Sequence, residues 1–251
     1  MKMLLASADN KRVRELKKLA SSRAFRRERG LLFCEGDTLY RDALDYGARI
    51  ETVYLREGTS LPLPDGAASF ELTDRIFRLL SEVETPQNVI FTVRLPEADP
   101  ALSGKPALLL DALSDPGNLG TVLRTAVAFG IPVIVGEGSA DPTSPKVVRS
   151  AMGALFRAAF SQGDLRKVIP AMKEAGVPVY AATLSERSVP LPGVSLSGAS
   201  VVVGNEAHGV SEEVRSLSSG EIVIPMPGNA ESLNAAVAAS ILMWEMAKTK
   251  P

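Results

Sequence analysis

Five short apolar runs, each separated from the next by a stretch of helical periodicity, constrain the second half of this chain more than any other feature. Residues 107–111, 132–135, 178–183, 201–203 and 222–225 are apolar almost throughout rather than alternating. A strand apolar on successive residues has both faces covered, which is the environment of a parallel sheet held between helices. Between the runs, residues 118–129 set Leu119, Val122, Leu123, Ala126 and Val127 on one face and stop at Gly130. Ser144 followed by Pro145 opens a second helix to about residue 155. Further helices are expected over 165–175, 211–218 and 232–248. The alternation predicts an α/β domain with a mostly parallel sheet.

The first part of the chain has a different texture. Residues 10–22 read as a basic amphipathic helix with Val13, Leu16 and Leu19 on one stripe. Strands are expected at 31–35, 50–55 and 89–93, with helices at 37–46, capped by Asp37, and at 73–83; a Gly/Pro/Ser-rich loop fills 58–68. Together these make a small α/β sandwich. Residues 94–106 hold three prolines and Gly104 and lack periodicity, the signature of a connector. The expected organisation is therefore a first domain over 1–95, a linker over 96–106 and a second domain over 107–251.

Net charge is −1 over 251 residues, but it is unevenly spread. Residues 11–29 carry nine Lys or Arg against Glu15 and Glu28, a local charge of +7 that leaves −8 for the rest. Uncompensated like charges repel, so the segment points to a polyanion, with Lys11, Arg12, Lys17, Lys18, Arg23, Arg26 and Arg27 as candidate nucleic-acid contacts. A solvated helix face is the alternative. Cys34 is the single cysteine, which excludes an internal disulfide and suits a small buried hydrophobe. No apolar run approaches the ~20 residues of a membrane span, and residues 1–6 are too short an apolar patch for a signal peptide. A cytoplasmic location is expected.

Several chemistries lack their residues. No Gly-x-Gly-x-x-Gly follows the first strand of the second domain, and no Gly-x4-Gly-Lys occurs. His208 is the only histidine and suits a surface loop, with no Gly-x-Ser-x-Gly to support serine catalysis. No His/Cys cluster offers metal ligands, so no metal is expected. What remains is Asn118, Arg124, Glu206, Ser232 and Asn234. Each has a plain structural alternative: Asn118 or Ser232 as a helix cap, Arg124 as a solvated charge, Glu206 as a strand end, Asn234 on an exposed first turn. Their common placement near strand ends, where open α/β sheets bind ligands, argues for a shared polar pocket.

Three segments in order then carry a resemblance. Asp115-Pro116-Gly117-Asn118-Leu119-Gly120-Thr121-Val122-Leu123-Arg124, Gly204-Asn205-Glu206-x-x-Gly209, and Ile224-Pro225-Met226 with Ser232-Leu233-Asn234 resemble the three signatures of the SpoU (TrmH) branch of the SPOUT methyltransferases. The N-terminal stretch, with Ser7-x-x-Asn10, Phe33-x-Glu35-Gly36 and Pro86-Gln87, is similar to that family's ribosomal-protein-like RNA-binding domain. The resemblance implies a deep trefoil knot in the C-terminal domain and a homodimer formed through it. It also implies transfer of a methyl group from S-adenosylmethionine to a ribose 2′-hydroxyl of RNA, most simply 23S ribosomal RNA. Val203, Gly204, Ile224, Met226 and Leu233 would line the cofactor site; Asn118, Arg124, Glu206, Ser232 and Asn234 would form the catalytic group. Many members carry serine where this chain has Ala236. A tRNA methyltransferase, or a non-catalytic RNA-binding or ribosome-assembly protein on the same scaffold, are the alternatives.

Overall fold

A computed structural model of the chain describes residues 3–95, 104–228 and 232–248; residues 96–103 of the expected linker lie outside the described residues. In chain order the elements are β1 (Met3–Leu5), α1 (Lys11–Ser21), α2 (Arg23–Arg29), β2 (Leu31–Glu35), α3 (Asp37–Asp45), β3 (Ile50–Arg56), β4 (Ala68–Leu72), α4 (Asp74–Leu80) and β5 (Val89–Arg94). There follow β6 (Leu108–Leu110), α5 (Pro116–Phe129), β7 (Val133–Gly136), α6 (Pro145–Ala151) with a 3-10 turn over Met152–Phe156, β8 (Phe160–Gly163) and α7 (Leu165–Glu174). The last are β9 (Val179–Ala182), β10 (Val189–Pro190), β11 (Ser200–Val203), α8 (Glu212–Leu217), β12 (Gly220–Val223) and α9 (Ala235–Ala247).

The chain divides into two compact units, one of Met1–Pro96 with Asp141–Phe156, the other of Glu97–Ala140 with Arg157–Pro251. The first has a mixed five-stranded sheet ordered β1-β4-β3-β5-β2, in which β5 runs antiparallel to β2 and β3. Its core gathers Val13, Leu16 and Leu19 of α1 with Phe33, Leu72, Ile76, Phe77 and Ile90. The apolar stripe of α1 is thus the face read from the sequence. Cys34 is fully buried, and burial pushes its thiol far above the usual range, so it packs as a hydrophobe.

Several local outcomes differ from expectation. The basic segment is two helices, because Ser22 ends α1 and its hydroxyl then accepts from Phe25 N–H to cap α2. Strand β4 falls in Ala68–Leu72 at the end of the expected loop, where its partners β1 and β3 determine its extended form. Asp37 opens α3 without capping it: its carboxylate accepts from Asn88 N–H at 3.1 Å and Asn88 Nδ2 at 2.8 Å.

The larger difference is that residues 141–156, expected in the second domain, pack with the first unit. Here α6 meets β2 and the 3-10 turn meets α3. Arg26 explains part of this. It is 3% exposed, not a surface nucleic-acid contact as expected. Its guanidinium donates to Asp141 Oδ2 at 2.7 Å, Thr143 Oγ1 at 3.1 Å, Leu19 O at 2.6 Å and Ala20 O at 3.1 Å. Burial raises the Asp141 carboxyl, but hydrogen bonds from Arg26 and Thr143 outweigh it and hold the group below its ordinary value. A charge cluster in the sequence does not reveal which member turns inward.

The second unit is a seven-stranded parallel sheet ordered β10-β12-β9-β11-β6-β7-β8. Val202 of β11 lies between Leu109 of β6 and Ala181 of β9. All three are fully buried, as continuous apolar strands require. Helices α7 and α8 contribute Ile169, Met172 and Val214 to one core with Leu109 and Val202. Helices α5 and α9 pack together elsewhere. From β6 the chain moves on to β7; from β11 it moves the other way, to β12 beyond β9. Adjacent strands with opposite onward connections mark the crevice where such sheets take ligands.

Arg26→Ala leaves Asp141 without its buried partner, and should cost about 3–5 kcal/mol in urea denaturation. Replacing exposed Arg27 the same way should move stability by less than about 0.5 kcal/mol.

Candidate active site

A cleft of about 490 Å³ opens beyond the C-terminal ends of β9, β11 and β12. That volume suits a nucleoside-sized ligand. All five residues expected to hold a cofactor, Val203, Gly204, Ile224, Met226 and Leu233, line it, together with Glu206 and Ser232. The lining is a mixture of apolar side chains and strand-end backbone.

Gly204 explains how the loop after β11 closes. A Cβ there would sit 2.1 Å from the carbonyl carbon of Gly209 and from the amide nitrogen of Val210, so only glycine lets the two strands of the loop touch. Asn205 and Gly209 exchange backbone hydrogen bonds at 2.9 and 2.8 Å. Asn205 Oδ1 accepts from Ala207 N–H and His208 N–H, and its Nδ2 donates to Ala112 O at 2.8 Å. The loop is thus folded on itself by an Asx turn and tied to the segment after β6.

Glu206 projects from this loop onto the N-terminal turn of α5. One carboxylate oxygen accepts from Ser114 N–H at 3.0 Å and Ser114 Oγ at 2.8 Å; the other accepts from Asp115 N–H and Asn118 Nδ2, both at 3.0 Å. A helix N-terminus favours such an anion. Burial raises the carboxyl, but these hydrogen bonds dominate and bring its pKa down to about 2. Asn118 Oδ1 in turn accepts from Asn234 Nδ2 at 3.0 Å. Asn234 also caps α9, its Oδ1 accepting from Ala236 N–H at 2.9 Å and Val237 N–H at 3.3 Å. Three segments distant in sequence are therefore joined by one chain of side chains: Asn234, Asn118, Glu206.

The caps differ from the plain alternatives read in the sequence. Asp115, with Pro116 behind it, caps α5 by accepting from Asn118 N–H at 2.7 Å, which releases the Asn118 amide for the network. Asn234, not Ser232, caps α9. Ser232 is exposed in the cleft lining. Arg124 is exposed on α5 and outside the cleft lining. Four hydrogen bonds from the start of α5 already converge on Glu206. Of the seven basic residues, Lys11, Arg12, Lys17, Lys18, Arg23 and Arg27 are exposed, and Arg26 is not.

Sequence reasoning missed the wall after β9. Thr183 and Leu184 line the cleft, as do Arg215 and His208. Glu221 on β12 holds that wall, accepting from Ser185 Oγ at 2.6 Å and Thr183 Oγ1 at 2.7 Å and pairing with Arg187 and Arg215. Hydrogen bonds from Ser185 and Thr183 bring the Glu221 carboxyl down to about 2. The signal was available: residues 183–188 follow a buried parallel strand at the ligand-binding end of the sheet. Among the described residues no group of three or more His, Cys, Asp or Glu could hold a metal, and no helix is long and apolar enough to cross a membrane.

Known proteins resemble the chain in sequence and in fold. Residues 105–244 match the model of the SpoU rRNA methylase family, and residues 10–90 match an MRM3-like substrate-binding domain. The chain is 34% identical to the 23S rRNA (guanosine(2553)-2′-O)-methyltransferase RlmP of Bacillus subtilis, over 96% of this chain and 98% of the relative. A TrmH-family structure from Porphyromonas gingivalis superposes with a TM-score of 0.81 at 33% identity, covering 94% of this chain and 97% of the other. An AdoMet-bound rRNA methyltransferase from Sinorhizobium meliloti superposes with a TM-score of 0.82 at 28% identity over 96% of each chain.

Gly204→Ala forces the Gly209–Val210 backbone away and should cost about 1–3 kcal/mol, read by thermal denaturation. The network also sets a pH dependence. With its folded value near 2 and its ordinary value at 4.5, Glu206 stabilises fully above 4.5, and that contribution is lost as pH falls through about 2. The gap in urea midpoint between wild type and Glu206→Gln should therefore be constant near neutrality and shrink steadily from about pH 5 downward.

Proposed function

The chain belongs to the SpoU rRNA methylase family, and from that premise we propose that it transfers a methyl group from S-adenosylmethionine to a ribose 2′-hydroxyl of ribosomal RNA, in the large subunit. The observation that carries this is the Asn234–Asn118–Glu206 network, one member of which lines a cleft shared with Val203, Gly204, Ile224, Met226 and Leu233. These cleft residues fit the donor: strand-end backbone offers hydrogen bonds to a polar nucleoside, and apolar side chains cover its flat faces. When bound, S-adenosylmethionine supplies a methyl group already activated by a sulfonium.

The chain's own residues must then hold the ribose and ease loss of the hydroxyl proton, which passes to solvent water as the methyl leaves the sulfonium and the donor becomes a neutral thioether. Asn118 is suited to orientation, because Glu206 and Asn234 hold the two ends of its amide. Its Nδ2 carries a second hydrogen, which we assign to a ribose oxygen. Arg124 is permanently charged, so it serves as a donor to the developing alkoxide and the adjacent phosphate, lowering the hydroxyl's effective pKa. Glu206 acts by positioning α5, and through it Asn118 and Arg124. Alignment of this kind can supply about 7–11 kcal/mol of the barrier in the best cases. Ser232, exposed in the cleft, is placed for a further contact to substrate.

The exposed cations Lys11, Arg12, Lys17, Lys18, Arg23 and Arg27 would take RNA phosphates, and the substrate-binding match over the same region supports this. A homodimer, a knotted C-terminal domain and a cytoplasmic location complete the proposal. The dimer is supported by α9, which leaves Val237 48% and Trp244 54% exposed, with the Trp244 ring 5.8 Å from Phe129 of α5. A single-chain mass in sedimentation would remove that part. The reaction itself is tested by mapping ribose methylation across total RNA from cells with and without the gene: one large-subunit position should lose its mark, and loss confined to transfer RNA would redirect the assignment. Arg124→Lys should lower kcat by about 100-fold while leaving S-adenosylmethionine affinity within about twofold, as measured by single-turnover kinetics and calorimetry.

A further inference from the structure

Three ionisable side chains line the cleft beyond β11: Glu206, Arg215 and His208. Two of them are already engaged by the protein. Glu206 is turned onto the start of α5, where four hydrogen bonds meet its carboxylate. The Arg215 guanidinium lies between two acids, with Nη1 3.0 Å from Glu212 and Nη2 3.1 Å from Glu221.

His208 differs from both. Among the described residues nothing forms a hydrogen bond, ion pair or ring contact with its imidazole; its backbone N–H alone is bonded, to Asn205 Oδ1 at 3.2 Å. The loop that carries it is nevertheless fixed, because Asn205 and Gly209 exchange backbone hydrogen bonds on either side of it. An exposed ring without a partner therefore stands on an anchored loop at the edge of the cleft. Anchoring the backbone lowers the ordering that a ligand must impose to meet such a group.

The charges of the methyl donor decide what the ring can take. S-adenosylmethionine carries a sulfonium, an ammonium and one anion, the α-carboxylate of its methionyl tail. A carboxylate that leaves water needs replacement donors. Glu206 is itself an acid, and Arg215 already faces two carboxylates. An imidazole offers an N–H in either charge state, and the charged form makes the stronger bond. We propose that His208 binds the α-carboxylate of S-adenosylmethionine and so selects a donor that bears its amino-acid tail. The apolar lining, with Leu184, Ile224 and Leu233, is left for the adenosine. The inference rests on S-adenosylmethionine being the donor, as proposed above.

The test uses the full chain, isothermal titration calorimetry and two ligands, S-adenosylmethionine and decarboxylated S-adenosylmethionine, which lacks only the carboxylate. The unaltered chain should bind the first about tenfold more tightly, the scale of one hydrogen bond to a charged group. His208→Ala, a change at an exposed side chain, should bring the two affinities within about twofold of each other. It should do so by weakening S-adenosylmethionine alone, and unchanged binding of the decarboxylated ligand shows that the cleft is intact. A preference that survives His208→Ala, or an equal loss for both ligands, would overturn the proposal. So would a fall in RNA affinity with the preference unchanged, which would give the ring to an RNA phosphate. Failure of the methyltransferase reading is seen separately, as absence of S-adenosylmethionine binding by the unaltered chain.

Discussion

One carboxylate organises the methyl-transfer half of this protein. Glu206 takes four hydrogen bonds from the start of α5, two from backbone amides and two from the side chains of Ser114 and Asn118. Together with the Asn205 bond to Ala112 O, it ties the turn between β6 and α5 to the loop after β11. With it, the Asn118 amide is orientated on one side, and Asn234 completes the line to α9. The charge sits at a helix N-terminus, where it is favoured electrostatically and ionised at any physiological pH. The geometry of the cleft is a property of anchored loops, and the anchor is ionic at one end only.

The parallel sheet makes that anchoring possible. Its buried strands β6, β11 and β9 are rigid, and their C-terminal ends release the segments that build the cleft. Gly204 lets the loop after β11 close on itself at backbone contact distance, and Glu221 fixes the loop after β9 with Thr183 and Ser185. The cleft's walls are thus set by backbone closure and by a saturated carboxylate, both of which hold without any ligand.

Much of this was legible in the sequence, for reasons that differ from residue to residue. The apolar runs at β6, β9 and β11 announced a covered parallel sheet because no solvent-facing strand could carry them. The glycines and prolines near 204–209 and 224–227 marked strand-end loops, and all five residues assigned there to the cofactor do line one cleft. Other features were illegible. Helix α2 is too dense in arginine to show an apolar stripe, and its structure follows from the Ser22 cap. Nothing in the order of charges distinguishes Arg26, which turns inward, from Arg27, which does not; only the position of Asp141, over a hundred residues away, decides it. The wall after β9 was overlooked because Thr183 and Leu184 carry no motif, although their place in the topology implied them.

The shared segment Asp141–Phe156 has a temporal consequence. It is made after β6, α5 and β7, yet it contributes α6 and the Asp141 counter-ion to the unit that begins the chain. During synthesis the amino-terminal sheet therefore emerges with a guanidinium facing its interior and no acid to meet it. That unit stays incomplete until the ribosome has delivered β7 and the sixteen-residue return strap beyond it. Two of the seven strands of the parallel sheet must already have been synthesised before the first unit can finish folding, so the two units are not separable cassettes in the linear order of the gene.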